Sequence, residues 1–464
     1  VIKNRNKYLL IPFIGILLGT LTYLLPVFLI LFILFGAIIL FLLNTNSEDR
    51  PILTKIVFIG LALRCAFSFF TIINLKLIRL EPAEHPIIFK VIGHTVQLFR
   101  DFHREVLNSI NMVKYFADKS GLLSLEEIAV EGHSSFLHLG AYIQGFLNYI
   151  LGESVLNLFV YPLLSIWVVI VVYFLAKEFF NKNVAILASL IVAFLPSLII
   201  WSSINIRMSI TIASLAIIGL FSAKFRKSNK VRYLVMVAIA LALVYMAKDK
   251  IILPTSVITV FILLTSIKIN KIMKNTIFFI IVIISLYYIM ENHSLTTRPP
   301  KVILKLITHQ RDFATYASGS NYKIYDEYVY LEDIEKSEKI YIKTVIKALP
   351  KGVAYFLFSP FPWKITNTLR LYSYPQILLN YFMFPFFILG ILIGLRYSYD
   401  ATYCMLLLFI FFTIIYSLSM GNVGTVARHR DLVSPFFFIF ASAGICNLLG
   451  CLEVPKEEKT KDLE

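Results

Sequence analysis

Apolar residues in this chain do not alternate with polar ones. They run on for stretches of about 17–22 positions, near the length at which a helix crosses the hydrocarbon core of a bilayer. Short clusters of Lys, Arg, Asn and Pro separate the runs. Set against those charge breaks, the pattern predicts about twelve transmembrane helices. The first run, residues 8–43, is too long for one helix and long enough for two, and Pro26, following Gly19 and Thr20, is the expected break. The remaining spans are expected near 54–75, 154–176, 184–201, 207–223, 232–247, 251–267, 275–290, 376–395, 401–419 and 433–451. Two long polar segments interrupt the series, at about 76–153 and 291–375.

Composition agrees with the pattern. Of 464 residues, 58% are hydrophobic and only 16% charged, and the mean hydropathy is +0.78. Soluble domains carry about a quarter charged residues, so a soluble globular enzyme, a disordered chain and a small secreted scaffold are all excluded. Cys65, Cys404, Cys446 and Cys451 lie in or beside apolar runs without metal or disulfide spacing and read as small hydrophobes. The first apolar run lacks a small-residue cleavage site and is expected to stay as a membrane anchor.

A net charge of +16 suggests nucleic acid in a soluble protein, but here its distribution points to topology and no nucleic-acid partner is expected. With the N-terminus inside, the cytoplasmic segments carry nineteen Lys and Arg and the short outer loops five. Both termini are therefore expected in the cytoplasm of a multi-pass plasma or inner membrane protein. Both long polar segments, all eight histidines and nineteen of the 28 carboxylates then fall outside. Acid–base groups sorted to one face suit an extracytoplasmic active site, although long outer loops collect polar residues in any case.

In the first outer segment, Phe102, Val106, Ile110, Val113 and Phe116 recur at helical spacing, as in an amphipathic helix lying on the membrane. Asp101 sits at its N-terminal end, followed by His103. Asp101 is either a helix cap or a catalytic carboxylate. Glu84 and His85 form a second acidic cluster just after the third span. Asp101 with His103, or Glu84 with His85, offers ligands for a divalent metal, but neither has a strong metal spacing, and no metal or other cofactor is required. Arg64, inside the third run, reads as a structural cation.

Three short outer loops place cations at the surface: Arg207 after Trp201; Lys248 and Lys250 around Asp249; and Arg428, His429 and Arg430 before Asp431. Arg grips a phosphate bidentately and Lys binds it as a point charge. Salt bridges to Asp249 and Asp431, with snorkelling to headgroups, are the structural alternative. Tyr322, Tyr325, Tyr328 and Tyr330, with Trp363, suit either a sugar-stacking surface or an interfacial aromatic belt.

Residues 173–220 resemble the polytopic GT-C glycosyltransferases, which include mannosyltransferase-like members of family thirty-nine and aminoarabinose-transferase-like proteins. Asp101-Phe102-His103 before an amphipathic helix looks like their first-loop Asp motif. Ser134-Ser135-Phe136 through Phe146-Leu147-Asn148 to Gly152 looks like the juxtamembrane helix that closes the loop. His309-Gln310-Arg311-Asp312, Leu349-Pro350-Lys351-Gly352, Phe358-Ser359-Pro360 and Arg428-His429-Arg430-Asp431 follow in an order similar to an uncharacterised prokaryotic branch. Two departures stand out. Arg207 is followed by Met208 where the family often has Asp, and Asp101 lies far from the preceding span, which keeps Glu84 as a second candidate for its role.

The resemblance implies an all-α, GT-C-like bundle of about twelve transmembrane helices, with two extracytoplasmic segments containing amphipathic or juxtamembrane helices. The organisation it suggests is an N-terminal hairpin (1–53), a core with the first outer loop (54–290, loop 76–153), a second outer segment (291–375), and C-terminal helices with a cytoplasmic tail (376–464). It also implies transfer of a sugar from a polyprenyl-phosphate or -diphosphate donor to a glycan, lipid or protein acceptor. Asp101 or Glu84 would act as general base, and Arg207, Lys248, Lys250, Arg428 and Arg430 would steady the departing phosphate. His85, His103, His429 and Trp363 are further candidates. The rival readings are a polymerase or ligase of lipid-linked oligosaccharides and a lipid or glycan transporter; the chain shows no internal repeat of the transporter kind.

Overall fold

The computed structural model describes residues 27–78, 159–204, 206–248, 251–266, 342–361, 374–419 and 423–452, together with positions 146 and 149. Among them every regular element is a helix: α1 (Val27–Leu43), α2 (Arg50–Ile78), α3 (Val160–Ser165), α4 (Trp167–Phe179), α5 (Lys182–Phe194), α6 (Pro196–Ile204), α7 (Ile206–Ser228), α8 (Val231–Ala247), α9 (Ile252–Ser266), α10 (Ile342–Phe358), α11 (Tyr374–Tyr397), α12 (Tyr399–Ser419), α13 (Val423–Arg430) and α14 (Ser434–Leu448). Five stretches among the described residues are long and apolar enough to cross a membrane: Arg50–Phe70, Val160–Phe179, Arg207–Ser228, Tyr374–Tyr397 and Tyr399–Ser417. Shorter apolar helices join them. This is an all-α polytopic membrane protein, as the run lengths predicted. Helices suit a bilayer because they satisfy every backbone N–H and C=O internally. The expected spans at 8–26 and 275–290 lie outside the described residues.

One expected span is divided. The run near 184–201 becomes α5 and α6, with Leu195 extended between them (φ −64°, ψ 117°). Pro196 is the cause: its ring disfavours the α conformation in the residue before it, and it is itself well placed in the first turn of a new helix. The second polar segment also proves partly helical, since α10 occupies its C-terminal part.

The chain divides into two compact units, 1–170 with 198–210 and 246–248, and 171–197 with 211–245 and 249–464. In the first, α1, α2 and α3 pack on one another. Phe41 meets Trp167 edge-on at 5.2 Å, and Phe35 meets Phe58 at 5.8 Å. Arg64 is buried there, and its Nη1 donates to the Gly60 carbonyl one turn back at 3.0 Å. That contact fits the structural role expected of it.

In the second unit, α14 is buried over most of its length and packs chiefly on α11 and then α5. Glycines permit the close crossing. A Cβ at Gly390 of α11 would run into the Phe440 carbonyl of α14, and one at Gly444 of α14 into the Phe386 carbonyl of α11. Phe387 fills the adjoining layer against Phe437 (4.7 Å) and Phe409 (5.0 Å).

Polar groups fasten the helix ends of this unit. Arg226 Nε meets Asp400 Oδ1 at 2.8 Å, its Nη1 donates to Thr265 Oγ1 at 2.9 Å, and its guanidinium lies over the Tyr403 ring. Lys224 bridges to Glu178 at 3.1 Å. Asn181 caps α5 by accepting from the Val184 N–H, and Asn181 and Asn183 both donate to the Cys451 carbonyl at 2.9 Å. The ends of α4, α7, α9, α11 and α14 and the starts of α5 and α12 are thus gathered together. These are segments that the Lys/Arg distribution assigns to one side of the membrane.

Candidate active site

At the other ends of α5, α11 and α14 a buried polar cluster forms. It begins with α13, whose last turn carries Arg428, His429 and Arg430, where the helix dipole favours cations. The chain then turns sharply: Leu432 N–H donates to His429 O and Val433 N–H to Arg430 O. Ser434 Oγ closes back on Asp431 O at 2.9 Å, and Pro435 stands in the first turn of α14. This turn drives Arg430 and Asp431 inward, leaving them 6% and 1% exposed.

Arg430 Nη1 donates to Leu357 O at 3.0 Å and Ser359 O at 2.8 Å. Those carbonyls lie at the C-terminal end of α10, where helices leave carbonyls without intrahelical partners. Asp431 Oδ1 accepts from Ser197 Oγ at 2.8 Å and from Gln376 Nε2 at 3.2 Å. Gln376 Oε1 in turn accepts from the Ser197 backbone N–H at 3.1 Å. Ser197 lies in the first turn of α6, so Gln376 satisfies one of that helix's open donors. Four separate helix ends, those of α6, α10, α11 and α13, are tied by two charged side chains and one amide.

The electrostatics follow from burial. Removal from water pushes the Asp431 carboxyl up to about 6, although the Ser197 hydroxyl, the Arg430 and Arg428 charges and the Gln376 amide pull it down. Burial lowers Arg430 from its ordinary value, while Asp431 pulls it back up. Asp431 Oδ2 and Arg430 Nε are buried without a hydrogen-bond partner. A small cavity of about 20 Å³ is bordered by Arg430, Gln376, Asn380 and Ser434 among apolar side chains. That volume suits about one water molecule and no sugar.

Arg428 and His429 are half-buried beside this cluster. The His429 ring stacks on Tyr416 at 4.6 Å, and Tyr416 stacks in turn on Phe356 of α10. Tyr381 OH donates to Phe358 O at 3.0 Å. The interior of the cluster holds two buried charged side chains, Arg430 bonded to backbone carbonyls and Asp431 to Ser197 and Gln376.

Of the residues expected from sequence, the structure gathers Arg428, His429 and Arg430 on α13, with Arg430 turned to backbone carbonyls. Arg207 and Lys248 are half-buried and belong to the other compact unit. Asp101, Glu84, His85, His103, Lys250 and Trp363 lie outside the described residues, as do the metal ligands they suggest. Among the described residues no three His, Cys, Asp or Glu side chains gather as a metal site. Sequence reasoning treated Asp431 only as an ion-pair partner and passed over Ser197 and Gln376. The available signal was the order of Pro196-Ser197, Phe358-Ser359-Pro360 and Arg430-Asp431 in the chain, whose members converge here.

Fold and cluster together define a polytopic membrane protein with polar chemistry at the ends of apolar helices. The class is sharpened by one comparison: residues 138–293 match the model of the dolichyl-phosphate-mannose-protein mannosyltransferase family. The matched segment, a third of the chain, contains α3 to α9 and overlaps the stretch on which the GT-C resemblance rests. No curated protein matches the chain. The chain is thus similar to membrane glycosyltransferases of the GT-C type.

Proposed function

We propose that this protein transfers a sugar from a polyprenyl-phosphate or -diphosphate carrier to a glycan, lipid or protein acceptor at the outer face of the membrane. The observation that carries the reading is the family match over residues 138–293, in a family named for a lipid-phosphate sugar donor. In this reading the lipid tail stays in the bilayer and the sugar is presented at the ends of the spans. Asp101, or Glu84 in its place, takes the proton of the acceptor hydroxyl as the new glycosidic bond forms. The bond between the sugar and the carrier phosphate breaks, and Arg428 steadies the negative charge that develops. Arg430 serves the same site at one remove: its bonds to Leu357 and Ser359 hold α13 against α10 and so hold Arg428 in place.

Reconstituted protein and a radiolabelled polyprenyl-phosphate sugar test the reading. Asp101→Asn should abolish transfer while insertion and thermal melting stay as in the wild type. Arg428→Ala should raise the apparent Michaelis constant for the donor about tenfold or more, as loss of a charge-assisted contact does. Wild-type turnover in the first variant removes Asp101 from the chemistry. Unchanged donor dependence in the second moves the phosphate site elsewhere.

A further inference from the structure

The turn between α7 and α8 carries five cations within nine residues: Lys224, Arg226, Lys227, Lys230 and Arg232. The fold divides them. Lys224 and Arg226 turn inward to Glu178 and Asp400. Lys227, Lys230 and Arg232 lie on an unbroken exposed stretch, 227–232, and no carboxylate among the described residues pairs with them. We propose that these three cations, with the exposed face of α8, form a binding site for the headgroup and acyl chain of an anionic phospholipid.

Three observations support the site. First, the turn is held by local hydrogen bonds and ring contacts. Asn229 adopts a left-handed conformation (φ 53°), its N–H donates to Phe225 O at 2.8 Å, and Tyr233 N–H donates to Lys230 O. The Phe221 and Tyr233 rings stack across the two helices at 5.9 Å. Arg232 lies over the Tyr233 ring and donates to its hydroxyl at 2.9 Å, which fixes the plane of the guanidinium. The three cations therefore project from an ordered backbone.

Second, two of them stand where the helix itself disfavours them. Lys230 and Arg232 flank the N-terminal end of α8, the positive end of the helix dipole, and no acidic residue occupies its first turn. A phosphate at that end meets both the dipole and the side chains. Third, the surface that continues from the turn is apolar and open. Val231, Val235, Met236, Ile239 and Tyr245 of α8 are exposed, while Val237, Ala240 and Val244 form its buried stripe. A basic turn at the head of an exposed apolar strip matches the chemistry of one phospholipid, with phosphate at the cations and chain along the helix. The proposal does not depend on glycosyl transfer.

The test is native mass spectrometry of the full chain released from nanodiscs containing phosphatidylglycerol and phosphatidylcholine. The wild type should retain phosphatidylglycerol preferentially. At roughly fivefold per cation, Lys227→Gln with Lys230→Gln and Arg232→Gln should lower that preference about a hundredfold. Lys55→Gln with Arg396→Gln, which removes two other exposed cations, should leave it unchanged. Retention by the triple variant equal to that of the wild type overturns the site, as does a second copy of the chain covering α8 in place of lipid. Should the triple variant fail to fold, the wild type still decides the matter: its preference should weaken as ionic strength rises, and a salt-independent preference overturns the proposal.

Discussion

Asp431 is the residue with most at stake in the site. Its carboxyl is buried, bonded through one oxygen only, and raised to about 6. The folded protein therefore holds this proton more tightly than the unfolded chain does. The stability so gained is fully present below a pH of about 4 and is lost as pH rises through about 6. Melting of the detergent-solubilised protein between pH 4 and 7 should show that loss, and Asp431→Asn, with no proton to release, should flatten it. A decline that persists in the variant belongs to another group. Arg430 has a different sensitivity. Arg430→Ala leaves the Leu357 and Ser359 carbonyls without their donor and Asp431 without its nearest compensating charge. A loss on the order of 3 kcal/mol is expected, read as a lower melting temperature.

Between elements, the crossing of α11 and α14 is set by backbone contact. Gly390 and Gly394 stand four apart on α11; the first faces the Phe440 carbonyl and the second Thr402 of α12. Small residues at this spacing let membrane helices approach until their backbones touch, where dispersion replaces the hydrophobic drive that lipid does not supply. Gly390→Leu must push α14 away from α11. It should cost at least about 1–3 kcal/mol, measured by thermal unfolding in detergent. Gly36→Leu, at a position with no heavy atom near the added Cβ, is the matched control and should melt as the wild type does. The division of the expected span near 184–201 belongs to the same scale. Residues 184–201 read as one run because hydropathy does not register the missing N–H of Pro196. That break places Ser197 in the first turn of a helix, where its N–H and hydroxyl both point to the cluster.

For the whole molecule, the tested quantity is sidedness. The Arg226–Asp400 and Lys224–Glu178 contacts gather segments that the Lys/Arg asymmetry assigns to the cytoplasm, and Arg430 and Asp431 join segments assigned outside. In intact cells a membrane-impermeant maleimide should label Lys351→Cys and not Lys230→Cys, with both labelled after permeabilisation. The reverse pattern inverts the topology and moves the site inside. The linear sequence was sufficient for the all-helical class, because a chain in lipid must close its hydrogen bonds locally, but not for every helix boundary, since the run at 184–201 breaks at Pro196. It also sufficed for Arg428 and His429 as candidates, since cations in a loop that the charge rule assigns outside run against that rule. It did not reveal that Ser197, 179 positions from Gln376 and 234 from Asp431, meets both. Which helix ends meet depends on how small residues let the helices cross, and that is a property of packed surfaces, which no run length or charge count along one chain records.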